Sequence, residues 1–200
     1  MTKVQDAFVL AWKRQREIQG FFNKHGLERV VVPPPSVSDE EFKIRWGKIQ
    51  KLFFRPATKD LSYEDFMKAL GQGNHWTVVD KEERVKIVWE PCEQGYWFWA
   101  DVQCKSPRLR NFWNKMIQEL KLNLFCLEEY VIVFYMSKVI SGVEIDVSTC
   151  TWLRNVQPRE CRGALTAGGC NGDIRVYDSS FTPPSFSIFR LGGRVAEVVK

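Results

Sequence analysis

Six cysteines and two histidines hold most of the reactive chemistry in this 200-residue chain. Cys92, Cys104, Cys126, Cys150, Cys161 and Cys170 form no Cys-x-x-Cys pair, so the spacing of a zinc knuckle or ribbon is missing. Thiols in such a pattern are expected to be free and mostly buried. Arg159 and Arg162 flank Cys161, and a reactive thiolate needs electropositive surroundings. His25 precedes Gly26 where a helix should end, and an imidazolium there complements the helix dipole. His75 sits in a Gly-Gln-Gly-Asn-His stretch and reads as structural. No Gly-rich phosphate loop, HExxH helix or nucleophile elbow occurs. Phe53-Phe54-Arg55 and Arg108-x-Arg110-x-Phe112-Trp113 interleave bases with aromatics, as single-strand binders do. The aromatics in both keep helical spacing, which core packing explains, so nucleic acid is not the expected partner. Neither a metal nor a cofactor is expected.

The charge balance agrees. Twenty-nine Lys and Arg against 24 Asp and Glu leave a net charge of +5, and the signs are interspersed, as in Lys81-Glu82-Glu83-Arg84. Mixing of this kind is a solvated surface more often than a phosphate-binding face. An apolar fraction of 44% and an aromatic fraction of 14% are enough for a packed core, which excludes a disordered chain. The apolar run Val131 to Met136 is far too short for a membrane span. With charges at Asp6 and Lys13, the first residues lack the apolar stretch of a secretory signal, so the expectation is a cytoplasmic or virion-associated protein.

These residues must be positioned by helices in the first part of the chain. Phe8, Ala11, Trp12, Ile18 and Phe22 keep helical spacing up to Gly26. Arg29 to Val32 is a β-like run ending against Pro33-Pro34-Pro35, a stiff extended connector. Ser38-x-x-Glu41 is a capping box opening a helix with the stripe Phe42, Trp46, Ile49 and Phe53, ended by Pro56. A shorter helix follows from Ser62, with Phe66 and Leu70 inward and Gly71 at its exit. Tyr96-Trp97-Phe98-Trp99 predicts a strand buried on both faces. Ser106-Pro107 predicts a helix start leading into Leu109, Phe112, Trp113, Met116 and Leu120. Another helix spans Leu127 to Ser141 and closes at Gly142.

From Cys150 the character changes. Thr151-Trp152-Leu153-Arg154 is short and hydrophobic, and Gly168-Gly169-Cys170-Asn171-Gly172 predicts a turn. Asp173-Ile174-Arg175-Val176-Tyr177 alternates, which places Ile174 and Val176 toward a core and Asp173, Arg175 and Tyr177 outward. A long loop from Asp178 to about Phe189 precedes Gly192 to Val199, which predicts one closing strand. Helices first and short antiparallel strands later define an α+β class.

The order Trp152-Leu153-Arg154, Gly163-Ala164-Leu165-x-Ala167, Gly172-x-Ile174-x-Val176 and Gly192-Gly193-Arg194-Val195-Ala196-Glu197-Val198-Val199 resembles the C-terminal part of C-type-lectin-fold proteins of the formylglycine-generating-enzyme-like branch. More narrowly, it is similar to the variable proteins of diversity-generating retroelements in bacteria, archaea and their viruses. Leu127-Glu128-Glu129-Tyr130 resembles a helix start common in that branch. The resemblance implies one C-type-lectin-like domain over 1–200, with 1–149 as scaffold and 150–200 as a variable ligand-binding region. It implies a non-enzymatic binding protein whose unknown ligand could be a protein on a cell or virion surface. The expected variable positions are Asn155, Cys161, Thr166, Gly168, Cys170, Asn171, Asp173, Arg175, Tyr177, Ser180, Phe181 and Phe186. Trp152, Gly163, Leu165, Gly172, Ile174 and Val176 would be their scaffold. The alternative within the same branch is a copper oxidase acting through Cys161 and Cys170. A nucleic-acid-binding module is the other alternative.

Composition tests the variable region. In these systems adenines of a template copy are mutated, and the diversified codons cannot encode Lys, Glu, Gln, Met or Trp. Those five types supply 49 of the first 160 residues and none of the thirty from Cys161 to Arg190. A strand-rich, loop-rich tail also runs low in Lys and Glu, but the loss of all five together fits a diversified segment.

Overall fold

A computed structural model describes residues 7–45, 50–70, 90–107, 123–156, 164–170, 173–178 and 191–199. The chain is of mixed α+β class, with four helices and two small sheets among the described residues. Helix α1 (Ala7–Lys24) ends as its sequence requires. Gly26 takes φ +71°, and Leu27 N–H reaches back to the Phe22 carbonyl at 3.0 Å. Ala11, Ile18 and Phe22 are buried as the spacing predicts, but Phe8 and Trp12 are not. The inward face is shifted round the helix to Leu10, Arg14, Ile18, Phe21 and Phe22.

The run Arg29 to Val32 alternates like a strand, with Val30 and Val32 buried and Val31 exposed, yet it pairs with none of the described strands. Its partner is the helix. Gln19 accepts from Val32 N–H and donates to the Val30 carbonyl, and Gln15 donates to the Val32 carbonyl. Two side-chain amides thus satisfy backbone groups that a neighbouring strand would otherwise pair.

Helix α2 (Asp39–Arg45) starts where Ser38 Oγ accepts from Glu41 N–H at 3.2 Å. The Glu41 carboxylate does not close the expected box: it accepts from Trp99 Nε1 and pairs with Arg45. The helix expected to reach Phe53 also stops early, because Gln50–Arg55 is strand β1; Trp46 and Ile49 lie outside the described residues. Leu52, Phe53 and Phe54 are all buried. Three consecutive apolar residues suit a strand covered on both faces, where successive side chains alternate, better than one helix stripe. Helix α3 (Tyr63–Ala69) follows, capped by Ser62, with Phe66 inward.

Strand β2 (Tyr96–Asp101) is buried on both faces, as predicted, and pairs antiparallel with β1. Trp97 and Trp99 meet the α1–α2 side: their indole N–H groups donate to the Pro33 carbonyl and to Glu41, and Phe42 packs edge-on against Trp99. Phe98 turns the other way, stacking beside Phe53 and edge-on to Phe125. The helix predicted after Pro107 falls outside the described residues. Helix α4 (Leu127–Ser141) has the predicted ends, with Gly142 at φ +69° closing it. Its N-cap is Cys126, whose sulfur accepts from Glu129 N–H while the Glu129 carboxylate accepts from Cys126 N–H, a capping box with a thiol in place of a hydroxyl.

Strands β3 (Cys150–Val156), β4 (Ala164–Cys170), β5 (Asp173–Asp178) and β6 (Leu191–Gly193) make the second sheet in the order β5-β4-β3-β6. The turn expected from Gly168 starts later, since Gly168 to Cys170 is strand paired with β5. The single closing strand is also corrected. Leu191–Gly193 runs parallel to β3, whereas Ala196–Val198 is a separate strand, β7, antiparallel to β2 in the first sheet.

The break between β6 and β7 is made by Arg194, which is fully buried. Its guanidinium donates to the carbonyls of Asp101 (2.8 Å) and Gln103 (2.7 Å) and to both carboxylate oxygens of buried Asp146 (2.8 and 3.2 Å). Asp146, at φ 54°, accepts also from Thr149 and Thr151 hydroxyls, and Ser106 closes the network onto both threonines. Both charges are fully buried and each is the other's ion-pair partner, so removing one strands the other. Asp146→Asn should therefore cost about 3–5 kcal/mol in urea unfolding; a loss below about 1 kcal/mol would show the pair to be replaceable.

Candidate functional site

The second sheet brings together six of the expected variable positions. Antiparallel register sets Thr166 opposite Tyr177, Gly168 opposite Arg175 and Cys170 opposite Asp173. The intervening row, Thr151–Ala167–Val176, is buried, as is Ile174. The predicted inward parity of Ile174 and Val176 is thus present. Directly opposed residues share a face, so the six positions form a double row on the other side. Of the side chains at 166, 170, 173, 175 and 177 only the strand positions are described, as for Leu165, opposite Asp178, and Asn155, in the stretch where the β3–β4 register shifts. Cys161, Gly163, Asn171, Gly172, Ser180, Phe181 and Phe186 lie outside the described residues.

Gly168 does not belong among the variable positions. It is buried, and a Cβ built on it would lie 2.7 Å from Cys150 Sγ and 3.0 Å from the Thr149 carbonyl oxygen. This glycine lets β4 close on β3. Trp152, in register with Thr166 and Tyr177, is buried as a scaffold residue should be, so the β3 side of this face is covered.

Sequence reasoning missed the charged cluster at the start of α4. Arg55 donates to Tyr96 Oη (3.0 Å), to Cys126 Sγ (3.2 Å) and to the Glu90 carbonyl, and lies 3.7 Å from Glu128. Arg154 pairs with Glu90 (2.9 Å) and with Glu129 (3.2 Å), and Tyr96 donates its hydroxyl to Glu129. Leu127-Glu128-Glu129-Tyr130 was the visible part of this cluster; its partners come from three strands and from Glu90 ahead of β2, and could not be read from spacing. Glu90, Cys126 and Glu128 place donor atoms within 4.8 Å of one another. The two guanidiniums already supply the cationic charge there, so these donors hold the helix start to β1, β2 and β3.

Two of the described thiols, Cys126 and Cys92, are poorly disposed to nucleophilic work. Burial, then the Glu129 and Glu128 carboxylates, push Cys126 well above the ordinary thiol range, and burial pushes Cys92 up. Phe53, Phe54 and Arg55 are buried in the core, which removes that stretch from any base-stacking surface. A cleft walled by Leu61, Phe66 and Ile132 opens beside the cluster, with Arg55 and Glu128 at its charged end. No helix is long and apolar enough to cross a membrane among the described residues. No family model, curated protein or solved structure matches the chain.

Two outcomes follow from this geometry. Gly168→Ala should lower stability by about 1–3 kcal/mol, and Cys150→Ala in the same chain should recover part of the loss; an unchanged melting temperature in Gly168→Ala would remove the close-packing argument. Burial lifts the Glu128 carboxyl above its ordinary range, against the pull of Arg55. A carboxyl raised in the folded state costs stability as pH climbs from the unfolded value, about 4.3, through the folded one. The stability difference between wild type and Glu128→Gln should therefore move in favour of the variant from about pH 4 to neutrality. A pH-independent difference would contradict the raised value.

Proposed function

We propose that this chain is a non-enzymatic ligand-binding protein of C-type-lectin type, and that a retroelement diversifies its C-terminal face. The observation that carries the reading is the pairing of Thr166 with Tyr177 and of Cys170 with Asp173, on strands whose alternate positions Ala167, Ile174 and Val176 are buried. A scaffold of this kind separates two requirements. Buried anchors must stay apolar, because an unpaired polar group there costs about 1–3 kcal/mol. Surface neighbours tolerate change within about ±0.5 kcal/mol. The absence of Lys, Glu, Gln, Met and Trp from Cys161 to Arg190 supports the same reading. Tyr and Arg, at 177 and 175, are side chains enriched at binding hot spots. Variation on such a framework would work much as antibody loops vary on a fixed one. Ligands of such a face include proteins of a cell or virion surface.

A protease-resistance selection on displayed protein tests this division. Libraries varying Asp173, Arg175 and Tyr177 should retain mostly folded members, and Arg175→Ala or Tyr177→Ala should melt like the parent. Libraries varying Ile174 and Val176 should retain few, and Ile174→Asp should not fold. Equal survival of the two libraries would overturn the proposal.

A further inference from the structure

Helix α1 has a second face that the core does not use. Phe8 (63% exposed), Val9 (55%) and Trp12 (37%) lie together on its outer side, with the Phe8 and Trp12 rings 5.8 Å apart edge to face. Val31, on the segment that Gln15 and Gln19 strap to the helix, is 77% exposed, the most of any large apolar side chain described. The remaining charges of this outer side are Lys13, Arg16 and Lys24, all exposed and all basic. The one acid of the helix, Glu17, is half-buried and paired with Arg14.

We propose that the outer face of α1 docks on an anionic lipid surface, with Phe8, Val9 and Trp12 at the level of the headgroups and Lys13, Arg16 and Lys24 against their phosphates. Charge complementarity selects this occupant. Basic residues beside a negative leaflet add attraction one by one, and aromatic side chains favour the boundary between headgroup and acyl chain. The face is convex and its apolar part is a few side chains, which suits a surface that needs no shape complementarity. A specific protein interface needs roughly 800 Å² on each partner. This lies apart from any spanning segment and does not depend on the reading of the C-terminal strands.

The test is co-sedimentation of the full chain with phosphatidylcholine vesicles, with and without phosphatidylserine. The protein should bind the anionic vesicles at low salt, bind neutral ones about tenfold less, and be released by added salt. Phe8→Ala with Trp12→Ala, and separately Lys13→Glu with Arg16→Glu, should each weaken binding about tenfold or more. Far-ultraviolet circular dichroism and melting should stay unchanged, since these side chains are outside the core. Equal binding to neutral and anionic vesicles, no binding, or binding indifferent to both pairs of substitutions would overturn the proposal. A dimer in sedimentation equilibrium that Phe8→Ala with Trp12→Ala dissolves, without vesicle binding, would assign the face to a second copy instead and overturn it equally.

Discussion

A buried ion pair joins the parts of this fold that sequence order keeps apart. Arg194 and Asp146 are 48 residues apart in the chain, and both are fully enclosed. One guanidinium ties the end of β2, the segment after it and the carboxylate that the Thr149 and Thr151 hydroxyls orient. It does so at the point where the chain leaves one sheet for the other, with Phe125 N–H closing on the Arg194 carbonyl. Removing two charges from water is costly, and the cost is offset only when each remaining donor and acceptor is met. Here the threonine and serine hydroxyls and two main-chain carbonyls meet them. The pair therefore fixes how the closing strands divide between the sheets, and a simple apolar contact would not specify that crossing.

A second polar centre fixes α4. Glu129, fully buried, accepts from its own N-cap, from Tyr96 and from Arg154. Burial and the neighbouring Glu129 push the Tyr96 phenol up, so it stays a hydrogen-bond donor at any ordinary pH. One helix start is thereby held to both sheets through β2 and β3. Both centres tie β3 to the first sheet: Thr151 through Asp146 to Arg194, which holds the end of β2, and Arg154 through Glu129 to Tyr96.

Elements bounded by local chemistry were legible in the sequence. Gly26, Ser62 and Gly142 end or begin helices through their own caps, and the alternation of Ile174 with Val176 gives the parity of β5. Elements decided by distant partners were not. Phe42 and Phe53 share helical spacing with the residues between them, yet β2 draws 50–55 into a sheet. The closing segment reads as one strand because nothing local announces that Arg194 will be claimed by Asp146. Gly168 looked like turn chemistry, whereas its absent side chain makes room for Cys150 from another strand. The charged cluster escaped for the same reason, since Arg55 and Tyr96 reach Glu128 and Glu129 from the first sheet, Arg154 from the second and Glu90 from the segment before β2.

The proposed face, with fixed anchors and varying alternate positions, is a claim about how the gene changes as well as how the protein folds. The most direct measurement is deep sequencing of the 3′ end of this gene across its natural population, together with the adjoining sequence. Substitutions confined to adenine-derived bases of a neighbouring near-repeat, falling in codons such as 173, 175 and 177 and sparing 168, 174 and 176, are the predicted result. A uniform 3′ end with no such repeat beside it, or substitutions spread evenly over buried and paired positions, would contradict it.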